Sequence, residues 1–293
     1  MAGGQVLPPQ AIRSGAKGST VAVLVTVFLM VGFVAGGYIG APFFGWEKPG
    51  TTQEKTTVVV GTNTPFPPME FRDPTSGALV GLDIDLMNEI GRRSNWTMIW
   101  RDFQDWDALL AAIKFQGVDI GASSITMSGT VGAERNASFD FSNPYYESDQ
   151  AILVKVGSAA VDCAVTECTV DELANHTVAV QTLTTSYWWI LGNLVDTGKT
   201  PASMVSDFGD LNSVIQELVN GNVEWVLVDK PIAENLVAGN AQLRIEGTIE
   251  TNELYGFATS DGDPNHLIPK INSALAAMKA DGKYAEIMQK WLG

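Results

Sequence analysis

Histidine and cationic residues are scarce in this sequence of 293 residues. The only histidines are His176 and His266, which leaves little for a histidine-based metal site or a serine–histidine catalytic pair. Lysine and arginine number 18 against 33 aspartates and glutamates, so the formal net charge is −15. Because such a chain repels phosphate backbones, the composition argues against a nucleic-acid-binding protein. We expect no metal, no cofactor and no catalytic residue, although metal catalysis on carboxylates alone stays open.

Charged residues are absent from Gly18 to Trp46, a run of 29 residues with a strongly apolar centre. A helix that crosses the hydrocarbon core of a membrane needs about 20 apolar residues, and this run supplies them. Arg13 and Lys17 precede the run, and positive residues tend to stay on the cytoplasmic side. The pattern therefore predicts a membrane anchor whose N-terminus is cytoplasmic.

The predicted anchor divides the N-terminal part of the chain into three segments. They are a cytoplasmic N-terminus at 1–19, a transmembrane anchor or signal sequence at 20–46, and a polar linker at 47–55. The alternative to an anchor is a signal sequence cleaved near the small residues Val34, Ala35 and Gly36. The remaining chain is exported in either case, so it would be anchored outside the cytoplasm or, after cleavage, secreted or periplasmic.

Cysteine is also rare, and the two present, Cys163 and Cys168, lie five residues apart in a polar stretch. Disulfides persist in oxidising compartments, so in an exported protein this pair predicts a small disulfide-closed loop. A metal or redox site would need closer spacing or more ligands. The expected bond restrains that loop and little else.

Apolar runs of strand length alternate with helical patterns after residue 55, which predicts an α/β fold with a largely parallel sheet. The predicted strands are Thr57–Gly61, Met98–Arg101, Val118–Ala122, Ala151–Val156, Thr177–Gln181, Val223–Val228 and Tyr255–Thr259. The predicted helices are Asp83–Ser94, Trp106–Phe115, Ser186–Thr197, Leu211–Val219, Asn265–Ala280 and Tyr284–Trp291.

Two segments of the first half are repeated in the second half. TVVVGTNT at 57–64 and TVAVQTLT at 177–184 share five identical positions. DWDALLAAIKFQGVDI at 105–120 and DLNSVIQELVNGNVEW at 210–225 share the spacing of their apolar residues. Each unit combines a strand, a helix and a second strand. The repeat therefore predicts two similar lobes. Amphipathic helices share the same apolar spacing, however, so part of the match is expected without a repeat.

Polar and aromatic residues follow several predicted strands, where ligands bind in open α/β sheets. The residues at these positions are Asn63, Thr64 and Phe66, then Ser123, Ser124 and Thr126, then Thr184 and Thr185, and finally Asp229. Under the repeat alignment, Ser124 and Asp229 are equivalent positions in the two lobes. The strand ends of both lobes would then face one cleft.

Several segments, taken in order, resemble a known family. They are GTNTPFPPMEF, GALVGLDIDLMNEI, DFQDWDALLAAIKFQGVDIGASSIT, ERNASFDFSNPYYESDQAILVK, TVAVQTLTTS, WVLVDKPIAENLV and DGKYAEIMQKWLG. In content and order they are similar to the family 3 extracellular solute-binding proteins, which bind amino acids for ABC importers. The resemblance covers residues 56–293, and it is the ordered combination that is specific.

The resemblance implies a fold of two α/β lobes joined by two crossing hinge strands, the type II periplasmic-binding-protein arrangement. The first lobe would comprise 56–150 and a return at 255–293, and the second lobe 151–254. Ala151–Val156 and Tyr255–Thr259 would be the hinge strands. The implied function is capture of a free L-amino acid by lobe closure and its delivery, by a monomer, to an ABC permease in the membrane.

The resemblance also implies which residues hold the amino acid. Arg135 is similar in position to the family's carboxylate-binding arginine, and Asp229 to its ammonium-binding aspartate. The residues that would add further donors are Ser124, Thr126, Thr184 and Thr185. The residues alone leave an alternative open for each of these two roles. Arg135 could be a surface arginine, and Asp229 could be a solvated carboxylate at the end of a strand.

Phe66 and Trp106 resemble the aromatic residues that enclose the ligand's side chain. Trp106 could equally belong to the core, because it shares a helical face with Leu109 and Ile113. Phe66 lies between Pro65 and Pro67, which excludes regular helix and favours the cleft.

The sequence departs from the family pattern next to the carboxylate site. Additional residues separate Thr126 from Arg135, and they include Gly129 and Gly132. These glycines could loop outward and leave Arg135 in place, or they could displace it. Leu183 stands where a glycine is usual, so we expect the backbone there to approach a ligand less closely.

The predicted side-chain pocket is mostly apolar with neutral amides. Asn63 stands where several relatives with cationic ligands have an aspartate, and Gln181 would line the same pocket. Val228 offers no hydrogen bond to a polar side chain. These residues favour a neutral L-amino acid. Asp83 could instead reach the pocket and favour lysine or arginine, or it could cap the N-terminus of its helix.

Two other functions stay open. A membrane anchor would also suit a sensory receptor that couples amino-acid binding to a partner protein. An enzyme on the same fold, of the cyclic-acid dehydratase type, would need a carboxylic acid or base poised in the cleft. Glu70 and Glu134 are the glutamates near the predicted site, and neither has a visible partner in the sequence. We therefore expect a protein that is not an enzyme.

Overall fold

The computed structural model describes residues 55–293. The predicted cytoplasmic segment, the anchor or signal sequence, and the linker up to residue 54 lie outside the described residues. Within residues 55–293, no helix combines the length and the apolar character that crossing a membrane requires. This part of the chain contains two five-stranded sheets and a small two-stranded sheet.

Strands and helices alternate through most of the described chain. The strands are β1 Thr57–Asn63, β2 Phe71–Arg72, β3 Leu79–Val80, β4 Thr97–Phe103, β5 Ile120–Gly121, β6 Phe139–Phe141, β7 Tyr146–Lys155, β8 Val178–Gln181, β9 Val205–Phe208, β10 Trp225–Asp229, β11 Leu243–Tyr255 and β12 Ala258–Ser260. The helices are α1 Leu82–Arg93, α2 Trp106–Lys114, α3 Gly129–Arg135, α4 Val170–Leu173, α5 Thr185–Ile190, α6 Leu211–Asn220, α7 Lys230–Gly239, α8 Ile268–Asp281 and α9 Lys283–Leu292. A π-helical segment, Leu191–Val195, continues α5, and a 3-10 helix covers Ala202–Met204.

The first lobe is built on a sheet with the strand order β4-β1-β5-β12-β6. β4, β1 and β5 run parallel, whereas β12 is antiparallel to its neighbours β5 and β6. On α1, Leu82, Leu86 and Ile90 are buried, with the spacing of one face of an amphipathic helix. They join Val58 and Val60 of β1 in one apolar cluster. Burial of this helix face on the sheet forms the core of the lobe.

The second lobe is built on a sheet with the order β11-β7-β10-β8-β9. β10, β8 and β9 run parallel, and β7 is antiparallel to both β10 and β11. The repeat seen in the sequence recurs in the helix starts, because Asp105 caps α2 and Asp210 caps α6 through their side chains. The predicted two-lobed α/β fold is thus confirmed for residues 55–293.

The chain crosses between the two sheets twice. It enters the second sheet at Tyr146, where β7 begins, and it leaves at Tyr255, where β11 ends. These two residues pair directly, and the antiparallel pairing continues to Lys155 and Leu243. The predicted hinge strand Ala151–Val156 therefore corresponds to the inner part of β7, beyond the point where the chain crosses.

The predicted strand Tyr255–Thr259 is wrong as a single element. β11 ends at Tyr255 and β12 begins at Ala258, so the segment contributes to both sheets. Between them lies Gly256, where a Cβ atom would come within 2.7 Å of Met127 Sδ. The chain therefore changes lobe at a closely packed position that has no room for a side chain.

Three elements near the cleft are missing from the prediction. α3 occupies the stretch before Arg135 that was expected as an inserted loop, so Gly129 and Gly132 do not loop outward. α7 directly follows β10, with Pro231 in its first turn, where proline is tolerated. β11 has a broken alternation of apolar and polar residues, because two register shifts interrupt its pairing with β7.

Cys163 and Cys168 are joined in a disulfide bond, as the sequence predicts. The closed loop lies along β11, an edge strand of the second sheet. Cys168 N–H donates to the carbonyl of Thr248 at 2.9 Å, and Thr248 N–H donates to the carbonyl of Thr166 at 2.7 Å. The loop therefore covers part of the sheet edge.

Replacing Gly132 with alanine should destabilise the protein. An added Cβ atom would lie 2.2 Å from both the carbonyl carbon and the carbonyl oxygen of Met127, so the backbone at the start of α3 must shift. Overpacking of this kind costs about 1–3 kcal/mol. The urea dependence of unfolding measures the change in the free energy of unfolding.

The matched control is Gly192→Ala, because nothing lies within 4 Å of an added Cβ atom in that helical segment. Alanine forms helix better than glycine, so this variant should be as stable as the wild type or more stable. Equal unfolding midpoints for Gly132→Ala and the wild type would contradict the packing argument.

Candidate functional site

A cavity lies where the carboxyl ends of strands from both sheets approach each other. β1 ends at Asn63, β8 at Gln181 and β10 at Asp229, while Ser123 and Ser124 follow β5. The cavity volume is about 30 Å³, room for about two water molecules. The residues that line it are Asn63, Phe66, Glu70, Trp106, Ser123, Ser124, Thr126, Arg135, Gln181, Thr184, Thr185, Ser186, Leu211, Leu227, Val228 and Asp229.

All nine residues predicted to contact a ligand line this cavity. The first lobe contributes Asn63, Phe66, Trp106, Ser124, Thr126 and Arg135, and the second lobe contributes Thr184, Thr185 and Asp229. The structure brings them together, and their role in ligand contact stays a prediction. The prediction did not include Glu70, Ser186, Leu211 and Leu227 among the lining residues.

Glu70 reaches the cavity because residues 66–70 turn back on themselves. Phe66 N–H donates to the carbonyl of Glu70 at 2.7 Å, and Glu70 N–H donates to the carbonyl of Phe66 at 3.1 Å. The prolines around Phe66 were the available signal, since they exclude a helix and hold the segment in a turn. The turn returns the chain to the same wall that Phe66 lines.

Arg135 is buried, with 8% of its surface exposed. Its Nη1 donates to the carbonyl of Thr126 and its Nη2 to the carbonyl of Leu183, both at 3.0 Å. The guanidinium carbon lies 5.6 Å from the centre of the Trp106 ring. Burial lowers the pKa of Arg135 to about 10, opposed chiefly by Glu253, so the side chain stays charged at neutral pH. The alternative of a surface arginine is wrong, and the additional residues before Arg135 form the helix that seats it.

Leu183 takes the backbone conformation that a glycine would take. Its φ angle is +54°, in the left-handed region that L-residues enter at a cost of about 1–2 kcal/mol. Its carbonyl accepts from Arg135 and, at 3.3 Å, from Trp106 Nε1. Leu183 thus turns its carbonyl toward the first lobe, and the expected wider distance between this backbone and a ligand stays a prediction.

Trp106 fits both of its proposed environments. It belongs to an apolar cluster with Leu109 and Ile113, and it also lines the cavity. It begins α2 directly after the capping Asp105, so one ring edge packs inward while its indole N–H reaches Leu183 of the other lobe.

Hydrogen bonds join the two lobes across the cleft. The hydroxyl groups of Thr126 and Thr185 lie 2.8 Å apart, and Gln181 Nε2 donates to Asn63 Oδ1 at 3.3 Å. Thr184 caps α5 by accepting from the N–H of Tyr187 at 3.3 Å. The lobes are therefore in direct contact around the cavity.

Asp229 is 9% exposed and is held by two side chains from the crossing strands. Tyr255 OH donates to Oδ2 at 2.7 Å, and Gln150 Nε2 donates to Oδ1. Gln150 also donates to Glu253, which accepts from Thr126 at 2.7 Å. Burial and then the charge of Glu253 raise the pKa of Asp229 to about 7, against the hydrogen bonds. The alternative of a solvated strand-end carboxylate is therefore wrong.

A second buried acid pair lies on the first-lobe side. Glu70 accepts from Ser123 Oγ at 2.8 Å. Asp83 accepts from the N–H of Ser124 at 2.7 Å and from Tyr145 OH at 2.6 Å. Burial raises the pKa of Asp83 to about 7, and burial followed by the charge of Asp83 raises the pKa of Glu70 well above its usual value.

Asp83 does not take either position that the sequence suggested. α1 begins at Leu82 with Gly81 at the capping position, so Asp83 lies in the first turn and does not cap the helix. It does not line the cavity either, because it lies behind Ser124. Its effect on the site therefore passes through Ser124 and Glu70.

A comparison with protein families matches residues 58–293 to the group described as bacterial extracellular solute-binding proteins, family 3. The ABC transporter glutamine-binding protein of Bacillus subtilis is 28% identical over 242 residues, which cover 82% of each chain. A probable histidine-binding protein of Neisseria gonorrhoeae is 31% identical, over 79% of this chain and 81% of the other.

Solved structures are similar over the same part of the chain. An ancestral arginine-binding protein, solved with glutamine and with arginine, is 33% identical and has a TM-score of 0.72. The match covers 82% of this chain and 100% of the other. The similarity extends across both lobes.

The buried acids should make the free energy of unfolding fall as pH rises from about 4 to about 7. Burial raises the folded-state pKa of Asp83 to about 7 from an ordinary 3.8, so the native state binds more protons than the unfolded state between these values. Each such group contributes at most about 1.4 kcal/mol per pH unit. Asp83→Asn should reduce this slope in urea unfolding measured from pH 4 to 8.

Asn88→Ala is the matched control, since it lies on the same helix and removes a hydrogen bond to Trp100 without removing a titrating group. It should lower stability at every pH by a similar amount. An unchanged slope in Asp83→Asn would contradict the assignment of a raised pKa to Asp83.

Proposed function

This chain belongs to the bacterial extracellular solute-binding proteins, family 3, and from that membership we propose that it is the amino-acid-binding component of an ABC importer. It captures a free L-amino acid outside the cytoplasm and delivers it to a permease in the membrane. The observation that carries the proposal is the pairing of a buried guanidinium, Arg135, with a buried carboxyl group, Asp229, on the two walls of one cavity.

The two groups match the ends of a free amino acid. When water is expelled, the carboxylate and the ammonium each need a partner of opposite charge. A guanidinium pairs with a carboxylate in a planar, two-pronged contact, which Arg135 would supply from the first lobe. Asp229 would accept from the ammonium on the second lobe. Thr126, Ser124 and Thr185 would add donors to the carboxylate.

Lobe closure would trap the ligand. Because the ligand touches residues of both lobes, it binds the closed arrangement more tightly and shifts the population toward it. Because side chains of the two lobes are hydrogen-bonded to each other around the cavity, entry of an amino acid would require the lobes to separate. The two crossing segments, near Tyr146 and Gly256, are where the backbone would rotate.

The ligand's side chain is proposed to be neutral. Phe66 and Trp106 would enclose its apolar part between aromatic faces. Asn63 and Gln181 offer amide groups, and Val228 adds an apolar surface. Amides donate and accept hydrogen bonds without requiring a charged partner.

The site is proposed to bind without catalysing a reaction. Asp229 is engaged by Tyr255 and Gln150, and Glu70 by Ser123, so each carboxyl has a structural partner. The relatives described above are named as binding proteins. The two-lobed part of the chain is proposed to act as a monomer that the segment at 20–46 anchors to the membrane.

Neutral L-amino acids should stabilise the protein against thermal unfolding. A ligand that binds only the native state adds about 2.7 kcal/mol at a hundredfold excess over its Kd. The test compares all L-amino acids, with D-enantiomers and dicarboxylates as controls. Stabilisation by none of the L-amino acids would contradict the proposed function.

Arg135→Ala should weaken amino-acid binding by about 2–5 kcal/mol, because the ligand carboxylate would be buried without its partner. Isothermal titration calorimetry measures the change. Arg101→Ala is the matched control, since Arg101 also donates to a backbone carbonyl of the first lobe but lies outside the cavity. Equal affinity in Arg135→Ala and Arg101→Ala would remove Arg135 from the site.

A further inference from the structure

Glu70 and Asp83 form a pair of buried carboxyl groups on the first-lobe wall of the cavity. Glu70 is 1% exposed and lines the cavity, and Asp83 is 0% exposed and lies behind it. Ser124 joins them, because its hydroxyl group donates to Glu70 Oε2 at 3.4 Å while its backbone N–H donates to Asp83 Oδ2 at 2.7 Å. The two acids therefore share one small polar environment.

The groups that donate to these acids are neutral. Glu70 accepts from the hydroxyl groups of Ser123 and Ser124, and Asp83 accepts from a backbone N–H and from Tyr145 OH. Within residues 55–293, Asp83 Oδ1 has no hydrogen-bond partner. The pair is thus solvated by hydroxyl groups and one backbone amide.

Three charged or titratable groups outside the pair face it. Asp229, at the end of β10, raises the pKa of Glu70, as Asp83 within the pair also does. Tyr145, before β7, has its own pKa raised by burial and by Asp83. Arg135 on α3 lines the same cavity, but its hydrogen bonds go to backbone carbonyls. Two negative charges in such a setting repel each other, so the pair favours retaining a proton.

We propose that the buried pair of Glu70 and Asp83 retains one proton, and that this proton selects the charge of the ligand's side chain. While the proton is held, the wall formed by Glu70 is neutral and accepts neutral side chains. When it leaves, the wall carries a negative charge that pairs with a cationic side chain. This inference rests on the proposed function, and it adds a residue that determines specificity.

The protons released on ligand binding distinguish cationic from neutral side chains. A cationic side chain that binds the protonated pair displaces one proton to the solvent, so its binding strengthens as pH rises. A neutral side chain leaves that proton in place. The proton on Asp229 affects the ligand ammonium, which every amino acid carries, so its contribution is common to both ligand classes. The ratio of the two affinities isolates the pair of Glu70 and Asp83.

The experiment titrates the protein with glutamine and with arginine, whose side chains both end in planar N–H donors and differ in charge. Calorimetry from pH 5.5 to 8.5, in two buffers of different ionisation enthalpy at each pH, yields both Kd and the number of protons released. Below the pKa of the pair, the affinity for arginine relative to glutamine should rise about tenfold per pH unit. Arginine should release about one proton more than glutamine.

Glu70→Gln should strongly reduce the pH dependence of the ratio of the two affinities, because the carboxyl group that lines the cavity is gone. Asp83→Asn should shift the rise in relative arginine affinity to lower pH, because a negative neighbour of Glu70 is removed. Glu89→Gln, which changes a glutamate of α1 paired with Arg92 and Arg93 outside the cavity, should keep the wild-type pH dependence.

A ratio that is constant with pH in the wild type would overturn the inference while leaving the proposed function intact. So would equal proton release by the two ligands, or a Glu70→Gln variant that keeps the wild-type pH dependence. Binding of neither amino acid at any pH, together with no stabilisation by other L-amino acids, would instead reject the proposed function and this inference with it.

Discussion

The side chain of Gln150 holds together groups that the rest of the site depends on. It lies on β7, donates to Asp229 and Glu253, and accepts from Ser186. Glu253 lies on the returning strand and accepts from Thr126 of the first lobe. Without these donors, two buried carboxyl groups would face each other with few partners, at a cost of several kcal/mol. One amide thus satisfies two acids and links the crossing strands to both walls of the cavity.

Much of the site was accessible to sequence reasoning because many of the cavity-lining residues follow strand ends. That rule brought Asn63, Ser124 and Asp229 together, and the family resemblance added Arg135. The supporting residues are less accessible, since Gln150 and Glu253 lie within strands where polar residues normally face solvent. Their burial follows from the antiparallel pairing of β7 and β11, which depends on contacts between residues about a hundred positions apart.

The secondary-structure elements around the cleft were also difficult to predict from the sequence. The helix before Arg135 contains two glycines and lacks an apolar repeat, so local propensity points to a loop. Tertiary packing decides otherwise, because Gly132 fits against the backbone of Met127 where a larger residue would not. Ser124 and Leu183 both take left-handed backbone angles without being glycine, and each directs a backbone group to a buried partner. Strain of this kind collects at functional sites and is not visible in sequence.

The placement of β12 makes the first lobe discontinuous along the chain. This strand lies between β5 and β6 in the first sheet, yet it is made more than a hundred residues after them. The second sheet, by contrast, is formed by one continuous stretch from Tyr146 to Tyr255. Because domains tend to fold as units while the chain lengthens, the second lobe can assemble first. Until β12 is present, the sheet of the first lobe is incomplete, and the edges of β5 and β6 are unpaired. Unpaired strand edges promote aggregation, so these edges are the expected binding site of a chaperone during folding.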